Sequence, residues 1–520
     1  MKKTLLFLGL LGLASNVHAQ GPWTLVNTPT TNFFGQYNIV DLHTLSPTLV
    51  WGVTSERVAP TAPPSIPGTC IVTNNSTGAG NLFDFNSVSV ASDGATPVAH
   101  SATVGNISGI SATTAVAAAY PGGTFVSATG GATIYGGEIT RTTNGGQTWT
   151  KATSATQFVG NGSFCNWVCM LTPLIGVSLG DPTGGTANRV GVFEILRTTD
   201  GGVTWTRLTG AAVPTPLTNE FGNAGSFFAS NSDTNIMWTG LASSNNAAQV
   251  RTMKTIDGGV TWTVSGLIPN IVGSVSQLAF KSNNLDGIAY GYAITGSGSS
   301  AMISGVNYAR TNDGGATWSA ITPINTATGS FFRNSIDAVN GTYYSTGPRY
   351  PLPTPPAPQA PEDFGFSSST DGVNWKNITT SGTTLAAPGY FFCMDLIPTS
   401  STTAMGYAGL YTDANGVGGI YKTNTAVLAT RNTAVQSTLN VYPNPSTSGV
   451  FKVDFGSTLK AGAQLTVIDA MGRQVSTQTL SATAIGSQTV SLDLSGEKTG
   501  VYTLQIRTDA GIATQKIVID

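Results

Sequence analysis

Charge is the scarcest property of this 520-residue chain. Asp, Glu, Lys and Arg make up 9% of the residues and the formal net charge is −2, whereas about a quarter of a typical soluble protein is charged. Because there is no run of basic residues, we expect neither nucleic acid nor an anionic lipid surface as a partner. The surface is expected to consist of Thr, Ser, Asn and Gly, which suit hydrogen-bonding ligands better than ionic ones.

Histidine and long apolar runs are also scarce. Only His43 and His100 lie beyond residue 19, so a histidine-rich metal site is not expected, and the sequence predicts no metal and no cofactor. After residue 19 no stretch of eighteen uncharged apolar residues occurs, so no transmembrane segment is predicted.

Cysteine is limited to four residues, which allow three pairings in an exported chain. They are Cys70, Cys165, Cys169 and Cys393. Cys165 and Cys169 are too far apart for a disulfide on a straight strand and could pair only across a turn. We expect buried structural cysteines rather than a catalytic thiol, because no His and Asn partner pattern accompanies them, and their pairing stays open.

The first nineteen residues have the pattern of a signal peptide. A basic start is followed by apolar residues 4–13, and the small residues Val17 and Ala19 occupy the −3 and −1 positions of a cleavage site. We expect residues 1–19 to be removed on export.

A turn written five times organises the rest of the chain. The copies are RTTNGGQTWTKA from Arg141, RTTDGGVTWTRL from Arg197, KTIDGGVTWTVS from Lys254, RTNDGGATWSAI from Arg310 and SSTDGVNWKNI from Ser368. Their tryptophans recur every 56 or 57 residues. A fixed period with short alternating strands and no helical pattern predicts the four-stranded blades of an all-β propeller.

The repeated octets have a local mechanical explanation. An Asp or Asn side chain can bind backbone N–H groups two residues on, and the paired glycines supply positive φ angles. The tryptophan is expected to lie as an apolar wedge between neighbouring sheets.

These turns resemble the Asp-box, or BNR, repeat of sialidase-like and photosystem-assembly-like β-propellers. The resemblance implies that the repeats are scaffold on the face opposite the active site. The structural Asp-box residues that it implies are Asn144, Trp149, Asp200, Trp205, Asp257, Trp262, Asp313, Trp318, Asp371 and Trp375.

The repeat also predicts how the ring closes. Residues 419–427 match the strand that enters an Asp box but lack the tryptophan, which "PWTLVNT" at residues 22–28 supplies. The first strand is therefore expected to close the last blade. With residues 92–98 as a degenerate box, we predict a seven-bladed propeller over residues 20–430. Proline-rich insertions at 54–81 and 346–365 are expected between strands two and three of blades one and six.

A second domain is predicted after a linker at residues 431–437. Residues 438–520 alternate as seven strands of a small β-sandwich. Their motifs resemble the C-terminal sorting domain of the type IX secretion system of Bacteroidetes, which implies the secretion machinery as a partner and a secreted or outer-membrane-surface location. The matching residues are Pro443, Asn444, Pro445, Asp469, Gly472, Arg473, Gly500, Val501, Tyr502 and Lys516.

Three acids are the candidate catalytic residues. Asp41, Asp337 and Asp395 fall on the predicted innermost strands of blades one, six and seven, and His43 shares a face with Asp41. Paired carboxylates could hydrolyse a glycosidic bond; alternatively, they bind backbone amides or channel water. A sialidase is not expected, because Phe332 and Arg333 are not followed by the Ile–Pro of that family and its arginine triad has no counterpart.

The preferred function is a non-catalytic surface or secreted module that binds carbohydrate or another extracellular polymer, and a monomer is expected. The candidate ligand-binding residues are Tyr135, Tyr350, Arg349 and Arg57. The alternatives are a glycoside hydrolase or lyase that uses the inner acids, and a protein-assembly scaffold.

Overall fold

The structure is a computed structural model. It describes residues 23–25, 37–56, 69–73, 83–87, 89–91, 100–121, 125–126, 132–133, 137–154, 156–158, 164–183, 191–295, 302–321, 324–325, 331–350, 364–379, 391–400, 403–410, 419–423, 427–428, 439–455, 463–469, 474–508 and 511–520. Among these residues, no helix combines the length and hydropathy needed to cross a membrane.

Four-stranded antiparallel sheets follow one another along the first part of the described chain. Sheet 1 consists of the strands Tyr37–Ser46, Leu49–Glu56, Thr69–Thr73 and Phe83–Ser87. Sheet 2 consists of His100–Gly109, Ala115–Pro121, Glu138–Thr142 and Trp149–Lys151. Sheet 3 consists of Cys165–Met170, Gly176–Thr183, Val192–Thr198 and Thr206–Arg207. Sheet 4 consists of Glu220–Ala229, Met237–Ser243, Thr252–Thr255 and Thr263–Val264. Sheet 5 consists of Gln277–Phe280, Gly287–Thr295, Met302–Thr311 and Ser319–Ile321. Sheet 6 consists of Ser335–Val339, Thr342–Tyr350, Phe364–Ser369 and Asn374–Asn377. Sheet 7 consists of Phe391–Pro398, Thr403–Leu410, Gly419–Thr423 and Trp23–Leu25. Short accessory elements are Ser89–Ala91, Phe125–Val126, Ala132–Thr133, Ile324–Asn325, Phe331–Phe332, Val427–Leu428 and the 3-10 turn Gly210–Ala212.

The first strand of each sheet is its inner strand. Each inner strand contacts the inner strand of the next sheet, and that of sheet 7 contacts that of sheet 1. The sheets therefore stand around a common axis as the blades of a propeller, which confirms the predicted all-β propeller fold.

The ring is closed by the first strand. Trp23–Leu25 pairs antiparallel with Gly419–Thr423, so that Trp23 lies opposite Thr423. This confirms the predicted closure, which covers the outer edge of the last sheet with a strand from the other end of the chain.

The positions of the third and fourth strands of sheet 1 differ from the prediction. The third strand, Thr69–Thr73, lies inside the insertion predicted at 54–81, and the fourth strand, Phe83–Ser87, follows soon after it. The predicted degenerate box at residues 92–98 lies outside the described residues. The period could not locate these strands because blade one lacks a recognisable copy of the turn. In sheet 6 the insertion does fall between strands two and three, as predicted.

The repeated turns join the third and fourth strands of sheets 2 to 6. In one of them, Asp257 Oδ1 accepts the N–H groups of Val260 and Thr261 at 3.0 and 2.9 Å, and its Oδ2 accepts the Thr261 hydroxyl at 2.6 Å. Gly258 and Gly259 have φ angles of 69° and 81°, where a β-carbon would be strained. The polar groups of the turn are thus used within the turn.

Neighbouring turns are also joined to one another. The Nε of Arg141, which begins one copy, donates to the carbonyl of Gly201 in the next turn at 2.9 Å, and Arg197 donates to Gly258 in the same way at 2.8 Å. The five tryptophans are at most 7% exposed, and Trp149, for example, packs in a core shared by sheets 1 and 2. The constant spacing of the copies along the chain therefore places each one where it can pack against the neighbouring blade.

Removing the turn carboxylate should destabilise the propeller moderately. We expect Asp257→Ala to lower the free energy of unfolding by about 1–2 kcal/mol, because four donors, the Thr255 and Thr261 hydroxyls and the Val260 and Thr261 N–H groups, lose their acceptor in the folded state. The control is Asp257→Asn, since Asn144 Oδ1 accepts the Thr148 N–H at 3.0 Å in the corresponding turn. Urea unfolding of both variants checks this, and an equal loss in the two would contradict the role of the acceptor oxygen.

The C-terminal residues form a β-sandwich with one shared core. One sheet is Asn440–Tyr442, Val450–Asp454 and Thr489–Asp493; the other is Gln474–Thr479, Gln464–Ile468, Gly500–Thr508 and Gly511–Ile519, and a short helix spans Ala482–Ser487. The predicted seven strands are present. Asn444 fixes the last strand, because its Nδ2 donates to the Lys516 carbonyl at 2.8 Å and its Oδ1 accepts the Val518 N–H at 2.9 Å. Gly472 and Arg473 lie outside the described residues.

Candidate functional site

A cavity of about 470 Å³, the axial cavity, runs along the propeller axis and is lined mainly by the inner strands. Successive side chains of a strand point to opposite faces, so every second residue of an inner strand can face this space. Asp41, Asp337 and Asp395 all line it, together with His43. The structure thus brings the three candidate catalytic acids into one cavity.

Each of the three carboxylates binds the backbone of the next blade. Asp41 Oδ2 accepts the N–H of Ile107 at 2.9 Å. Asp337 Oδ2 accepts the N–H of Leu396 at 2.6 Å. Asp395 Oδ2 accepts the N–H of Thr44. The acids therefore connect sheet 6 to 7, 7 to 1 and 1 to 2 around the closure of the ring.

Neutral side chains make the same connections at other positions. Asn106 Oδ1 accepts the N–H of Val168 at 2.9 Å, and Ser108 Oγ accepts that of Met170 at 2.9 Å. His43 Nδ1 accepts the N–H of Gly109 at 2.7 Å, so the neutral ring carries its proton on Nε2. Because Asn, Ser and His serve where Asp serves elsewhere, these bonds favour a structural use of the acids.

Burial sets the protonation of this cluster. It raises the pKa of Asp41 to about 7, with the charge of Asp395 as a smaller cause, and it raises the pKa of Asp395 to about 6. Burial and then Asp395 raise the pKa of Asp337 well above its usual range. Burial lowers the pKa of His43 to about 4. Within the part of the chain that the structure describes, the cavity lining contains no Lys or Arg, so these carboxylates have no cationic partner among the described lining residues.

The cysteines of this region are inert. Cys165, Cys169 and Cys393 are free, buried thiols, and burial raises the pKa of Cys165 and Cys169 to about 12. Cys165 and Cys169 lie on one strand, Cys165–Met170, where they cannot pair. The side chain of Cys70 is outside the described residues. Within the described ranges, no group of three His, Cys, Asp or Glu residues could hold a metal ion.

The end of the axial cavity opposite the repeated turns is here called the mouth. It is defined by Tyr120, Gln277, Tyr292, Asn334 and Phe392, which come from sheets 2, 5, 6 and 7. Because the turns between strands one and two share an end with the repeated turns, the beginnings of the inner strands lie at this opposite end. The mouth therefore combines three aromatic rings with two carboxamides.

Some polar groups of the mouth have partners and others do not. The Tyr292 hydroxyl donates to Asn334 Oδ1 at 3.3 Å, and Asn334 Nδ2 donates to the carbonyl of Phe392. The Tyr120 hydroxyl is buried and makes no hydrogen bond with the described residues. Its ring stacks on Phe164 with centroids 4.4 Å apart. Buried polar groups are nearly always satisfied, so this hydroxyl is suited to a bound molecule or water.

The predicted ligand-binding residues are placed differently from the acids. Arg349 is half-buried, lies opposite Phe332 in a strand pair and is not among the cavity-lining residues. Of Tyr350 the structure describes the backbone alone, and Tyr135 and Arg57 lie outside the described residues. The mouth residues were not found by sequence reasoning, although several stand at or just before the starts of inner strands, where an alignment of the blades would have shown them.

The arginines of the described propeller residues are used structurally. Arg251 forms a two-bonded ion pair with Glu220, and Arg141 and Arg197 bind the repeated turns. Arg333 is 7% exposed, with its guanidinium 6.0 Å from the Tyr292 ring centre. None of these lines the axial cavity.

Comparison with known proteins identifies one part of the chain. Residues 440–520 match the family described as "Secretion system C-terminal sorting domain". The predicted sorting domain is therefore confirmed, and it indicates export by type IX secretion to the cell surface or the extracellular space and an interaction with the secretion machinery. A sequence search of curated proteins finds no match.

Solved structures with a similar outline differ widely in sequence. YCF48 bound to D1 peptide has 12% identity over 77% of this chain and 96% of that chain, with a TM-score of 0.40. The GH74 xyloglucanase of Xanthomonas campestris has 11% identity over 95% and 68%, with a TM-score of 0.41. A Hadza microbial sialidase has 11% identity over 73% and 76%, with a TM-score of 0.35. At these scores no functional argument rests on them.

Proposed function

We propose that the propeller is a non-catalytic binding module, presented on the cell surface or secreted, that holds carbohydrate or another extracellular polymer at the mouth. The observation that supports this most directly is the use of the three acids. Each spends a carboxylate oxygen on a backbone N–H of the next blade, while groups suited to a neutral ligand line the mouth. Tyr135, Tyr350, Arg349 and Arg57 remain proposed ligand contacts.

The proposed organisation follows the sequence prediction. A signal peptide at residues 1–19 would start export, and residues 20–430 would form the binding module. After a linker at 431–437, residues 438–520 would carry it through the type IX system, as in Bacteroidetes. The module is proposed to act as a monomer.

A glycoside hydrolase is the second candidate. The observation that favours it is the raised pKa of Asp395, about 6, in a cavity that also holds Asp41 and Asp337, because a general acid needs a proton near neutral pH. Asp337 fits this role poorly, because its two oxygens accept the N–H groups of Leu396 and Ala338. For Asp41 and Asp395 the bond to the next blade restricts how the carboxyl group can turn towards a substrate.

A panel of neutral polysaccharides tests the two candidates together. The exported chain is expected to be retained on one or more of them without release of reducing sugar, and Asp395→Asn should be retained equally well because its amide oxygen can still accept the Thr44 N–H. Release of reducing sugar that is lost in Asp395→Asn would reject the binding module in favour of the hydrolase.

A further inference from the structure

Resting on the proposed function, we infer that the axial cavity is a blind well that takes the uncharged end of a glycan chain, rather than a groove that binds the middle of one. Three features carry this inference: the Asn231 bond that narrows one end, the aromatic and carboxamide side chains at the other, and the sign of the charge between them.

The end of the axial cavity beside the repeated turns is crossed by a hydrogen bond. Asn231 follows the inner strand of sheet 4 and lines the cavity. Its Nδ2 donates to the carbonyl of Ala338, on the inner strand of sheet 6, at 3.0 Å. The bond joins sheets 4 and 6 past the inner strand of sheet 5. It therefore narrows this end of the cavity on that side.

The opposite end offers contacts that a sugar uses. Tyr292 and Phe392 are half-buried and give apolar faces on which a ring can stack. The Gln277 side chain is half-buried and lines the cavity, so its carboxamide can bind a sugar hydroxyl. The volume of about 470 Å³ lies within the usual range of about 300–1,000 Å³ for small-ligand sites. The well therefore has room and partners for a short chain end.

Charge decides between sugar classes. Among the described residues, the lining includes Asp41, Asp337 and Asp395 but no Lys or Arg. The Arg333 guanidinium, 6.0 Å from the Tyr292 ring centre, is 7% exposed and does not line the cavity. The carboxylate of a uronic or sialic acid would therefore lose its hydration without meeting a cation among the described lining residues. The well is therefore suited to a neutral terminal sugar and rejects an acidic one.

Competition for retention distinguishes an end from a chain interior. Starch, xylan, galactomannan, mixed-linkage β-glucan and arabinan are offered as soluble competitors, each intact and after partial endo-hydrolysis at equal mass. For the polymer that retains the protein, displacement should rise in proportion to the number of chain ends. Equal displacement by intact and hydrolysed polymer would overturn end recognition but leave the binding module standing. Failure of every polymer and fragment to bind would reject both.

Two variants place the site. Ala224 is exposed and lines the cavity, so Ala224→Trp should block the well and weaken retention at least tenfold, while Ala224→Ser should not. Gln277→Ala should weaken it about tenfold. Ile256, 63% exposed beside a repeated turn, supplies the control Ile256→Ala. Full retention by Ala224→Trp, with a native circular dichroism spectrum, would exclude the well.

Cellotriose and β-1,4-triglucuronate, which differ only at C6, test the charge argument. The triglucuronate is expected to displace the retained protein no better than buffer. Displacement by it that exceeds that by cellotriose would contradict a neutral-sugar site.

Discussion

Replacing Arg251 by alanine is expected to lower the free energy of unfolding of the propeller by about 3–5 kcal/mol, because the change leaves a buried carboxylate without its cation. Arg251 Nε and Nη2 donate to the two oxygens of Glu220 at 2.8 and 2.7 Å, and Nη2 also donates to the carbonyl of Thr215 at 2.8 Å. The Glu220 side chain is 3% exposed. Water therefore cannot replace the lost partner.

The controls separate charge from shape. Arg251→Lys keeps the charge but not the planar fork, so an intermediate loss is expected. In Arg251→Leu with Glu220→Leu neither charge remains, and most of the stability should return. Urea unfolding followed by tryptophan fluorescence measures all three variants. A loss below about 1 kcal/mol for Arg251→Ala would mean that Glu220 becomes hydrated or protonated at little cost.

This ion pair shows what sequence reasoning could and could not reach. Arg251 was visible as an arginine outside the repeated turns, but its partner lies 31 residues away and no local pattern connects them. By contrast, the turns were predictable because the hydrogen bonds of their Asp or Asn side chain fall within a few residues. Asp257 accepts the N–H groups of residues three and four positions further along the chain. The residues that form these bonds therefore all lie within one octet of the sequence.

The ring closure was predictable for a similar reason. A missing tryptophan at one end and an extra strand at the other are complementary patterns, and the pairing of Trp23 with Thr423 follows from them. The positions of strands three and four of sheet 1 were not predictable, because no repeated turn marks Phe83–Ser87 as a fourth strand. Periodicity locates only the blades that carry its signal.

The candidate site was predicted in part. Sequence placed Asp41, Asp337 and Asp395 in one sector of the channel, and the structure brings them into one cavity. Their partners could not be foreseen, because a bond from one inner strand to the next depends on the relative height of neighbouring sheets. The mouth was missed because Tyr120, Gln277 and Phe392 meet only after the ring closes.

The propeller is expected to be about 2 kcal/mol more stable at pH 5 than at pH 8, unlike a protein whose carboxylates are held by cations. Asp41 has a pKa of about 7 in the folded chain and Asp395 one of about 6, against 3.8 for the free side chain. Between about pH 4 and 7 the native state therefore binds more protons than the unfolded state. Its stability falls as the pH rises through that range.

His43 acts in the opposite direction. Its pKa falls from 6.5 to about 4 on burial, so below about pH 6.5 the unfolded state binds the extra proton and folding is penalised. Asp41 and Asp395 together make the folded state roughly 4 kcal/mol more stable at pH 5 than at pH 8. The His43 penalty at pH 5 offsets about half of this amount. The raised pKa of Asp337 adds to the acid side.

Two substitutions separate these contributions. Asp41→Asn keeps an oxygen for the Ile107 N–H but has no proton to gain, so the stability difference between pH 5 and pH 8 should fall by about 2–3 kcal/mol relative to wild type. His43→Gln can still accept the Gly109 N–H and removes the penalty, so the difference should rise by about 2 kcal/mol relative to wild type. Thermal unfolding at several pH values measures both, kept above pH 4 because the turn acids Asp200 and Asp313, with a pKa of about 2, lose their contribution below it. If the stability of wild type and of Asp41→Asn changes with pH in the same way, Asp41 is already hydrated in the cavity and ionised at neutral pH. That outcome would favour the hydrolase over the binding module.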